Sequence, residues 1–150
     1  METSEPPRGI GRRVRDALDR LERDEDLWLA TAGDDRPWLV PLSFHWTGTA
    51  LLMATARRSR SYANLAAGGG ARVALGHTRD VVMLDGRVDL PERLPDDEAA
   101  AVAAVTGVDP RSQAGAGYIR FTPVRGQAWR TYEETLQRTI MTDGRWAAER

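Results

Sequence analysis

Six short apolar runs, joined mostly by tight turns, constrain the fold of this chain more than any other feature of its sequence. Such runs predict strands, and the polar segments between the first three predict tight turns at residues 33–37 and 47–49. The runs span residues 27–32, 38–46, 51–55, 71–76, 81–90 and 118–130. Within the fifth run, Gly86 predicts a bulge or a close approach of two backbones. Short strands with few helices favour a mainly β, α+β fold built as a small six-stranded antiparallel barrel.

Helical patterns are few. Val14, Leu18 and Leu21 recur at helical spacing among charged residues, which predicts an amphipathic helix on the outside of the core. Residues 59–67 predict a second helix, which stops at three consecutive glycines. An alanine-rich stretch at residues 95–107 predicts a third, with acidic residues at its start and a glycine at its end.

The two ends of the chain differ in pattern. Residues 1–8 are polar and predict a flexible tail, which leaves residues 9–150 as a single domain. Near the other end, Asp143 and Gly144 predict a tight hairpin between apolar residues. The sequence contains neither an apolar targeting segment nor a window of about 20 apolar residues, so we expect a cytoplasmic protein with no membrane partner.

Missing residue types exclude several classes of chemistry. The chain has no cysteine, which excludes disulfides and thiolate nucleophiles, and all 21 of its basic residues are arginine. Without lysine it can form neither the Schiff base of ordinary pyridoxal-phosphate enzymes nor a lysine-bearing phosphate loop. With two histidines, a multi-histidine metal site is disfavoured and we expect no metal. A net charge of −1 gives no basic excess that would indicate a nucleic-acid partner.

The main candidate for a functional site is a polar turn between the third predicted strand and the helix after it. Residues 55–64 read Thr-Ala-Arg-Arg-Ser-Arg-Ser-Tyr-Ala-Asn. Unpaired N–H groups at a helix start attract anions, arginine adds a planar fork that matches phosphate, and hydroxyls add short donors. The pattern therefore predicts a phosphate site. An ordinary N-cap at Ser59 among solvated arginines would produce the same pattern, and the residues alone leave both interpretations open.

The order and spacing of these elements resemble those of the pyridoxamine 5′-phosphate oxidase-like superfamily, whose members are flavin- or deazaflavin-binding split β-barrels. The segments that carry the resemblance are Thr31-Ala32, Arg36-Pro37, Val40 to Phe44, Thr55, Ser59-Arg60, Asn64-Leu65 and Gln127 to Arg130. The last of these, together with residues 141–146, looks like an actinobacterial-type member. The resemblance extends from about residue 20 to the end of the chain.

The resemblance implies a homodimer with flavin mononucleotide (FMN) bound at the subunit interface. The residues implied to hold the phosphate are Thr55, Ser59 and Arg60, with Arg57, Arg58 and Ser61 beside them. The residues implied to lie along the flavin ring are Val40, Pro41, Leu42, Ser43 and, presented to the other subunit, Trp129. Ser61 stands where the oxidases have a lysine, so Arg57 or Arg58 would supply the missing charge.

One departure from the family narrows the expected function. The oxidases carry an Arg-Leu-His motif near the C-terminus for pyridoxamine phosphate, and this chain lacks it, so we expect another small-molecule substrate. An FMN-dependent oxidoreductase that transfers hydride is the first interpretation, and its catalytic side chains are unknown because the cofactor performs the chemistry. One alternative is a reductase that uses a deazaflavin (coenzyme F-420), whose acidic tail would recruit Arg36 or Arg72; another is a non-catalytic flavin- or haem-binding module. Trp28, Trp38 and Trp46 are assigned to the core and the dimer interface.

Overall fold

A single antiparallel sheet organises the structure, a computed structural model that describes residues 5–148. Its strands within those residues are β1 (Asp26–Gly33), β2 (Arg36–Ser43), β3 (His45–Trp46), β4 (Leu51–Ala56), β5 (Ala71–His77), β6 (Asp80–Asp89), β7 (Ala116–Trp129), β8 (Thr139–Thr142) and β9 (Arg145–Trp146). They pair in the order β2-β1-β5-β6-β7-β4-β3, while β8 pairs with β7 and β9 pairs with β8. Every pair is antiparallel, which confirms the predicted fold class.

The strand count within residues 5–148 is nine rather than the predicted six, for two local reasons. The run at residues 38–46 is broken at Phe44, whose backbone N–H donates to the Glu25 carbonyl at 2.8 Å, so β2 and β3 are separate strands. The predicted C-terminal hairpin adds β8 and β9 to the same sheet. Asp143 and Gly144 have φ values of 51° and 76°, the positive pair that a two-residue hairpin turn of this type requires.

The sheet curls into a barrel that is open between β2 and β3. These strands are the two ends of the pairing order, yet only Phe44 separates them in the chain, so the open edges of the sheet meet there. Gly86 permits the tight curl, because the β6–β7 register shifts between Asp85 and Gly86 and a Cβ at Gly86 would overlap the backbone carbonyl of Thr122 on β7. Both the bulge and the close approach predicted at Gly86 are therefore present.

Helices cover the barrel. Within the described residues they are α1 (Ile10–Arg23), α2 (Arg60–Ala66), α3 (Asp96–Thr106) and the single turn α4 (Tyr132–Thr135). α1 packs its apolar stripe into the main core, where Ala17 and Leu21 are each 1% exposed. α3 covers the outer side of β4 and shares a smaller core with it. No helix among residues 5–148 combines the length and the apolar character needed to cross a membrane.

The N-terminal segment differs from prediction at Arg8. Residues 1–4 of the predicted flexible tail lie outside the described residues, but Arg8 is only 7% exposed. Its backbone N–H, Nε and Nη2 donate to the Glu134 carboxylate at 2.9, 3.2 and 2.8 Å. The physical reason is the buried Glu134 carboxylate on α4. It is distant from Arg8 in the sequence, but its hydrogen bonds hold Arg8 against the barrel.

Candidate functional site

The turn between β4 and α2 is held by its backbone and by a serine cap. Ser59 Oγ accepts a hydrogen bond from the Tyr62 N–H at 3.2 Å, and the Ser59 N–H donates to the Ala56 carbonyl at 3.0 Å. Ser59 is therefore the N-cap of α2, as one interpretation of the sequence held. Because α2 has only 7 residues, its dipole is small, and anion binding at this turn would depend on side chains rather than on the helix end.

Two arginines of this turn border a cavity of about 570 Å³. Arg57 is anchored there, since its backbone N–H donates to the Gly115 carbonyl at 2.8 Å and its Nε to the Ala116 carbonyl at 3.1 Å. Arg58 is exposed at the same cavity. The other lining residues are Ala56, Val108, Gln113, Gly115 and Ala116. The cavity is thus a mainly apolar pocket with two cationic side chains on its wall.

Within residues 5–148, no acidic side chain forms an ion pair with the arginines of this turn. Among residues 5–148, Arg57, Arg58 and Arg60 form no ion pair with an aspartate or glutamate. By contrast, Arg72 on β5 forms an ion pair with Asp85 on β6 at 2.7 Å. Three guanidinium groups without acidic partners give the turn a positive potential that favours an anionic ligand.

The remaining residues implied for the phosphate do not line this cavity. The Arg60 guanidinium lies 6.0 Å from the centre of the Trp38 ring, at the outer limit of a cation–π contact. Thr55 is on the face of β4 that carries buried Met53, since residues two apart in a strand share a face. Ser61 is 3% exposed, so its side chain is turned into the protein. Of the predicted phosphate residues, the structure brings Arg57 and Arg58 together at a cavity.

A second cavity, of about 820 Å³, lies along β2. Pro41, Leu42 and Ser43 of the implied ring site line it, whereas Val40 packs against the main core. The Ser43 hydroxyl donates to the Asp26 carboxylate at 2.7 Å and is therefore already engaged. The other aromatic and charged lining residues are Arg20, Arg23, Asp24, Glu25, Asp26, Trp28 and His77.

The outer face of β1 and β2 is apolar and exposed. Trp28 is 49% exposed and Leu39 is 61% exposed, and the strand register places both on the same face as Pro41. The alternation of side chains along β1 was the signal in the sequence that could have predicted the exposure of Trp28, because Leu27 and Leu29 on either side of it are buried in the core. Of the three tryptophans assigned to core or interface, Trp46 is buried, while Trp28 and Trp38 are exposed.

One copy of the chain does not assemble the implied site. The cavities at Arg58 and at Pro41 share no lining residue. Gly117 pairs with Thr55, which lies two residues before Arg57 in the chain. From Gly117 to Trp129, β7 would extend about 40 Å at ~3.4 Å per residue. Trp129 and the turn that carries Arg57, Arg58 and Arg60, here called the arginine turn, therefore lie towards opposite ends of β7. Within its own chain Trp129 contacts Arg138, whose guanidinium lies 5.5 Å from the ring centre.

Comparisons with solved structures support this description of the fold. An F420 reductase has 21% identity and a TM-score of 0.58, with 72% of this chain and 93% of that one covered. An FAD-binding protein from Mesorhizobium loti has 21% identity and a TM-score of 0.58, with 75% and 88% covered. The heme storage protein HutZ from Vibrio cholerae has 14% identity and a TM-score of 0.59, with 73% and 88% covered. At these identities the similarity concerns the fold alone.

Comparison of the sequence with protein families is more specific. A search of curated proteins finds no match. The family described as pyridoxamine 5′-phosphate oxidase, however, matches residues 15–130, which include the whole barrel from β1 to β7 and the arginine turn. The resemblance of the sequence to that superfamily is thereby confirmed, and the chain belongs to the pyridoxamine 5′-phosphate oxidase family.

Proposed function

We propose that this chain binds FMN between two identical subunits and uses it to transfer hydride to or from a small molecule. The observation that carries the proposal is the pair Arg57 and Arg58 at a cavity of about 570 Å³, without an acidic partner among residues 5–148. A phosphate monoester offers the negative charge and the acceptor oxygens that two guanidinium groups at one cavity complement. Membership of the family makes a phosphate-bearing flavin the natural candidate.

The residues present fit a phosphate that is attached to a larger group. Arg57 is fixed through its Nε and backbone N–H, and its two Nη groups are not used in those bonds. The Ser59 hydroxyl accepts from Tyr62 and can still donate its own hydrogen. Val108 and Ala56 provide apolar surface beside the charges. The turn therefore offers both charge and a preformed shape, which lowers the ordering cost of binding.

A second copy of the chain would complete the site. The cavity at Pro41 and the cavity at Arg58 are separate in one chain, and Trp129 lies towards the far end of β7 from the arginine turn. The apolar face that carries Trp28 and Leu39 is the kind of surface that marks an interface in soluble proteins. A homodimer that covers this face would bring elements of both subunits to one cofactor.

The chain's own residues would bind and orient rather than attack the substrate. When bound, FMN supplies the hydride chemistry at its ring, which requires no nucleophilic side chain. Pro41 has no backbone N–H, so a flavin ring at this strand would receive no hydrogen bond from the backbone nitrogen of that residue. Trp28 presents an aromatic surface to the 820 Å³ cavity, where a planar ligand could stack and water would be displaced.

A deazaflavin is the second candidate cofactor. One of the similar folds is an F420 reductase, and Arg36, on exposed β2, forms no ion pair with an acidic residue among residues 5–148. Arg72 is a weaker candidate for an acidic tail, because Nε and Nη2 donate to the Asp85 carboxylate at 2.7 and 3.1 Å. That pairing raises the pKa of Arg72 and keeps its side chain engaged.

Purification of the full chain and identification of its ligand test the proposal. A yellow protein that releases FMN on denaturation supports it, and a colourless protein that binds deazaflavin but not FMN contradicts it. Reduction of the bound flavin by a nicotinamide cofactor, with turnover of an artificial acceptor, would separate an enzyme from a storage module. A haem-loaded protein without flavin would also contradict it, and such a role is named for HutZ.

Substitution at the turn tests the assigned residues. Arg58→Gln should weaken FMN binding roughly tenfold to a hundredfold, the effect of losing one charge-assisted hydrogen bond. Arg79→Gln is the matched control, since Arg79 is also an exposed arginine in a turn but lies between β5 and β6. Fluorescence titration of FMN measures both. Equal affinities for the two variants would remove Arg58 from the site.

A further inference from the structure

Between β2 and β7 the outer face of the sheet carries mostly apolar side chains. The pairing register aligns one row of them across β2, β1, β5, β6 and β7, in the order Pro41, Trp28, Ala74, Met83 and Gln127. Each of these five keeps exposed surface, whereas their neighbours along the strands, such as Leu29, Val73 and Leu84, form the main core. A contiguous apolar surface of this kind marks a site of contact with another chain.

An ion pair lies in the middle of this outer face. The neighbouring row of side chains reads, from β2 to β7, Leu39, Ala30, Arg72, Asp85 and Arg125. Arg72 donates from Nε and Nη2 to the Asp85 carboxylate at 2.7 and 3.1 Å, and the two side chains are 54% and 41% exposed. Because an ion pair so exposed adds little to the stability of a single chain, its role is better explained by its place at the centre of an apolar surface. Charges at such a place set the orientation of two chains that meet there.

The charge pattern of this ion pair is complementary to itself. In a symmetric dimer the same patch of both copies meets, so residue i contacts residue j while residue j contacts residue i. A two-fold axis that runs along the strands, midway between β5 and β6, places β5 of one copy opposite β6 of the other. Arg72 then faces Asp85 of the partner subunit, Asp85 faces Arg72 of the partner subunit, and the four charges alternate in sign. Nη1 of Arg72 is not used in the bonds to Asp85 within the chain, so it can donate across the axis.

The same axis determines which other strands meet. β1 of one copy lies opposite β7 of the other, and Ala74 lies opposite Met83 of the partner subunit, which sets a small side chain against a large, flexible one. Trp129 is on the outer face of β7, two residues beyond Gln127. It would therefore lie opposite β1 of the partner subunit, the strand whose Trp28 borders the 820 Å³ cavity. This dimer thus brings Trp129 of one copy towards the cavity along β2 of the other.

We propose that two copies of this chain pack through the outer face of β5 and β6, and that Arg72 and Asp85 form reciprocal ion pairs across the two-fold axis. These pairs fix the register of the dimer. An axis moved onto β5 would set Arg72 against Arg72 of the partner subunit, and an axis moved onto β6 would set Asp85 against Asp85 of the partner subunit. The contact rests on the homodimer of the proposed function but not on its cofactor.

Two charge reversals, made in separate full-length proteins, test this contact. Arg72→Asp leaves a chain with acidic residues at both positions, and Asp85→Arg leaves a chain with arginine at both. In a dimer of either variant like charges face each other twice, so we expect the dissociation constant to rise roughly tenfold or more. In an equimolar mixture each acidic position faces an arginine of the other variant, so a mixed dimer forms. Sedimentation velocity measures the mass, and native mass spectrometry distinguishes the mixed dimer from dimers of either parent.

The mixture separates a contact between chains from one within a chain. Within each variant chain the two positions carry like charges before and after mixing, so a dimer that is lost in the variants and recovered on mixing supports the reciprocal contact. Variants that remain dimers like the wild type, or that stay monomers when mixed, would overturn it, as would a monomeric wild type. Arg120→Asp and Asp89→Arg are the matched controls, because these residues form a cross-strand ion pair at 3.2 Å between β7 and β6, away from β5. Both controls should remain dimers.

Circular dichroism checks that each variant folds. Should one not fold, a crystal structure of the unmodified protein decides: Arg72 within about 4 Å of the partner's Asp85 supports the contact, and a dimer that leaves this face exposed rejects it. A wild-type dimer that lacks flavin but yields the mixed dimer would contradict the proposed function and leave the contact supported. A flavin-containing protein whose two variants remain dimers would do the reverse.

Discussion

Replacement of Glu134 by glutamine should destabilise the protein strongly at neutral pH and much less in acid. Glu134 is 2% exposed, and its carboxylate accepts three hydrogen bonds from Arg8, at 2.8–3.2 Å, and one from the Arg130 N–H at 3.1 Å. Glutamine keeps the shape of the side chain but not its charge. The variant therefore leaves the buried Arg8 guanidinium without the carboxylate that neutralises it most closely.

The magnitude follows from the pKa of Glu134. Burial alone would raise this pKa, but the hydrogen bonds and the charge of Arg8 outweigh burial and lower it from 4.5 to about 2. When the pKa of a carboxyl group is lower in the folded than in the unfolded state, its ionised form stabilises the fold. That stabilisation is complete above the unfolded-state pKa and is lost as the pH falls towards the folded-state pKa. At about 1.4 kcal/mol per pKa unit, the charge contributes about 3 kcal/mol at pH 7 and about 1 kcal/mol at pH 3.

Urea denaturation at several pH values measures the difference in unfolding free energy between the wild type and Glu134→Gln. We expect a difference of about 3 kcal/mol or more at pH 7 that narrows by about 2 kcal/mol at pH 3. Glu133→Gln is the control, because Glu133 is exposed on the same turn and its loss should change stability by less than about 0.5 kcal/mol. A difference for Glu134→Gln that is the same at pH 7 and pH 3 would refute the reasoning.

Three further substitutions test single features of the structure. Ser59→Ala should lower the unfolding free energy by about 1 kcal/mol through loss of the N-cap, while Ser59→Thr stays near wild type in the same urea titration. Leu39→Glu should turn the proposed dimer into a monomer in sedimentation velocity, and an unchanged mass would argue against the interface at Trp28 and Leu39. Gly117→Ala should cost about 1–3 kcal/mol in thermal unfolding, because its Cβ would lie 2.7 Å from the Tyr62 ring, and wild-type stability would contradict that packing.

Elements that depend on neighbouring residues were predictable from the sequence. The Asp143-Gly144 turn, the Ser59 cap and the bulge at Gly86 each express a local backbone preference, and each is present. The strand order could be inferred only through resemblance to a family, because pairing joins residues far apart in the chain. The break at Phe44 escaped prediction, since an apolar residue that leaves the ladder looks the same in sequence as one that stays in it.

Features that depend on distant partners were not predictable. Arg8 and Glu134 are 126 positions apart, and nothing near either residue indicates a buried ion pair. The arginine turn was predicted as one site, yet the sequence did not show that Arg57 and Arg58 would line a cavity while Arg60 lies over Trp38 and Ser61 is buried. Which side chain of a turn reaches a pocket depends on the packing of the loop before β7, and that packing is a tertiary property.

The position of β2 at the end of the sheet explains why a second subunit is expected on its face rather than on its edge. An edge strand exposes unpaired N–H and C=O groups that can recruit another strand, and proline removes one of those donors. β2 carries Pro37 and Pro41, so extension of the sheet along this edge is disfavoured. Leu39 lies between them and, at 61% exposed, points away from the core with Trp28. Because extension along the edge is disfavoured and the face is apolar, two copies would bury Leu39 and Trp28 by packing face to face. Such packing would cover the side of β2 that borders the 820 Å³ cavity.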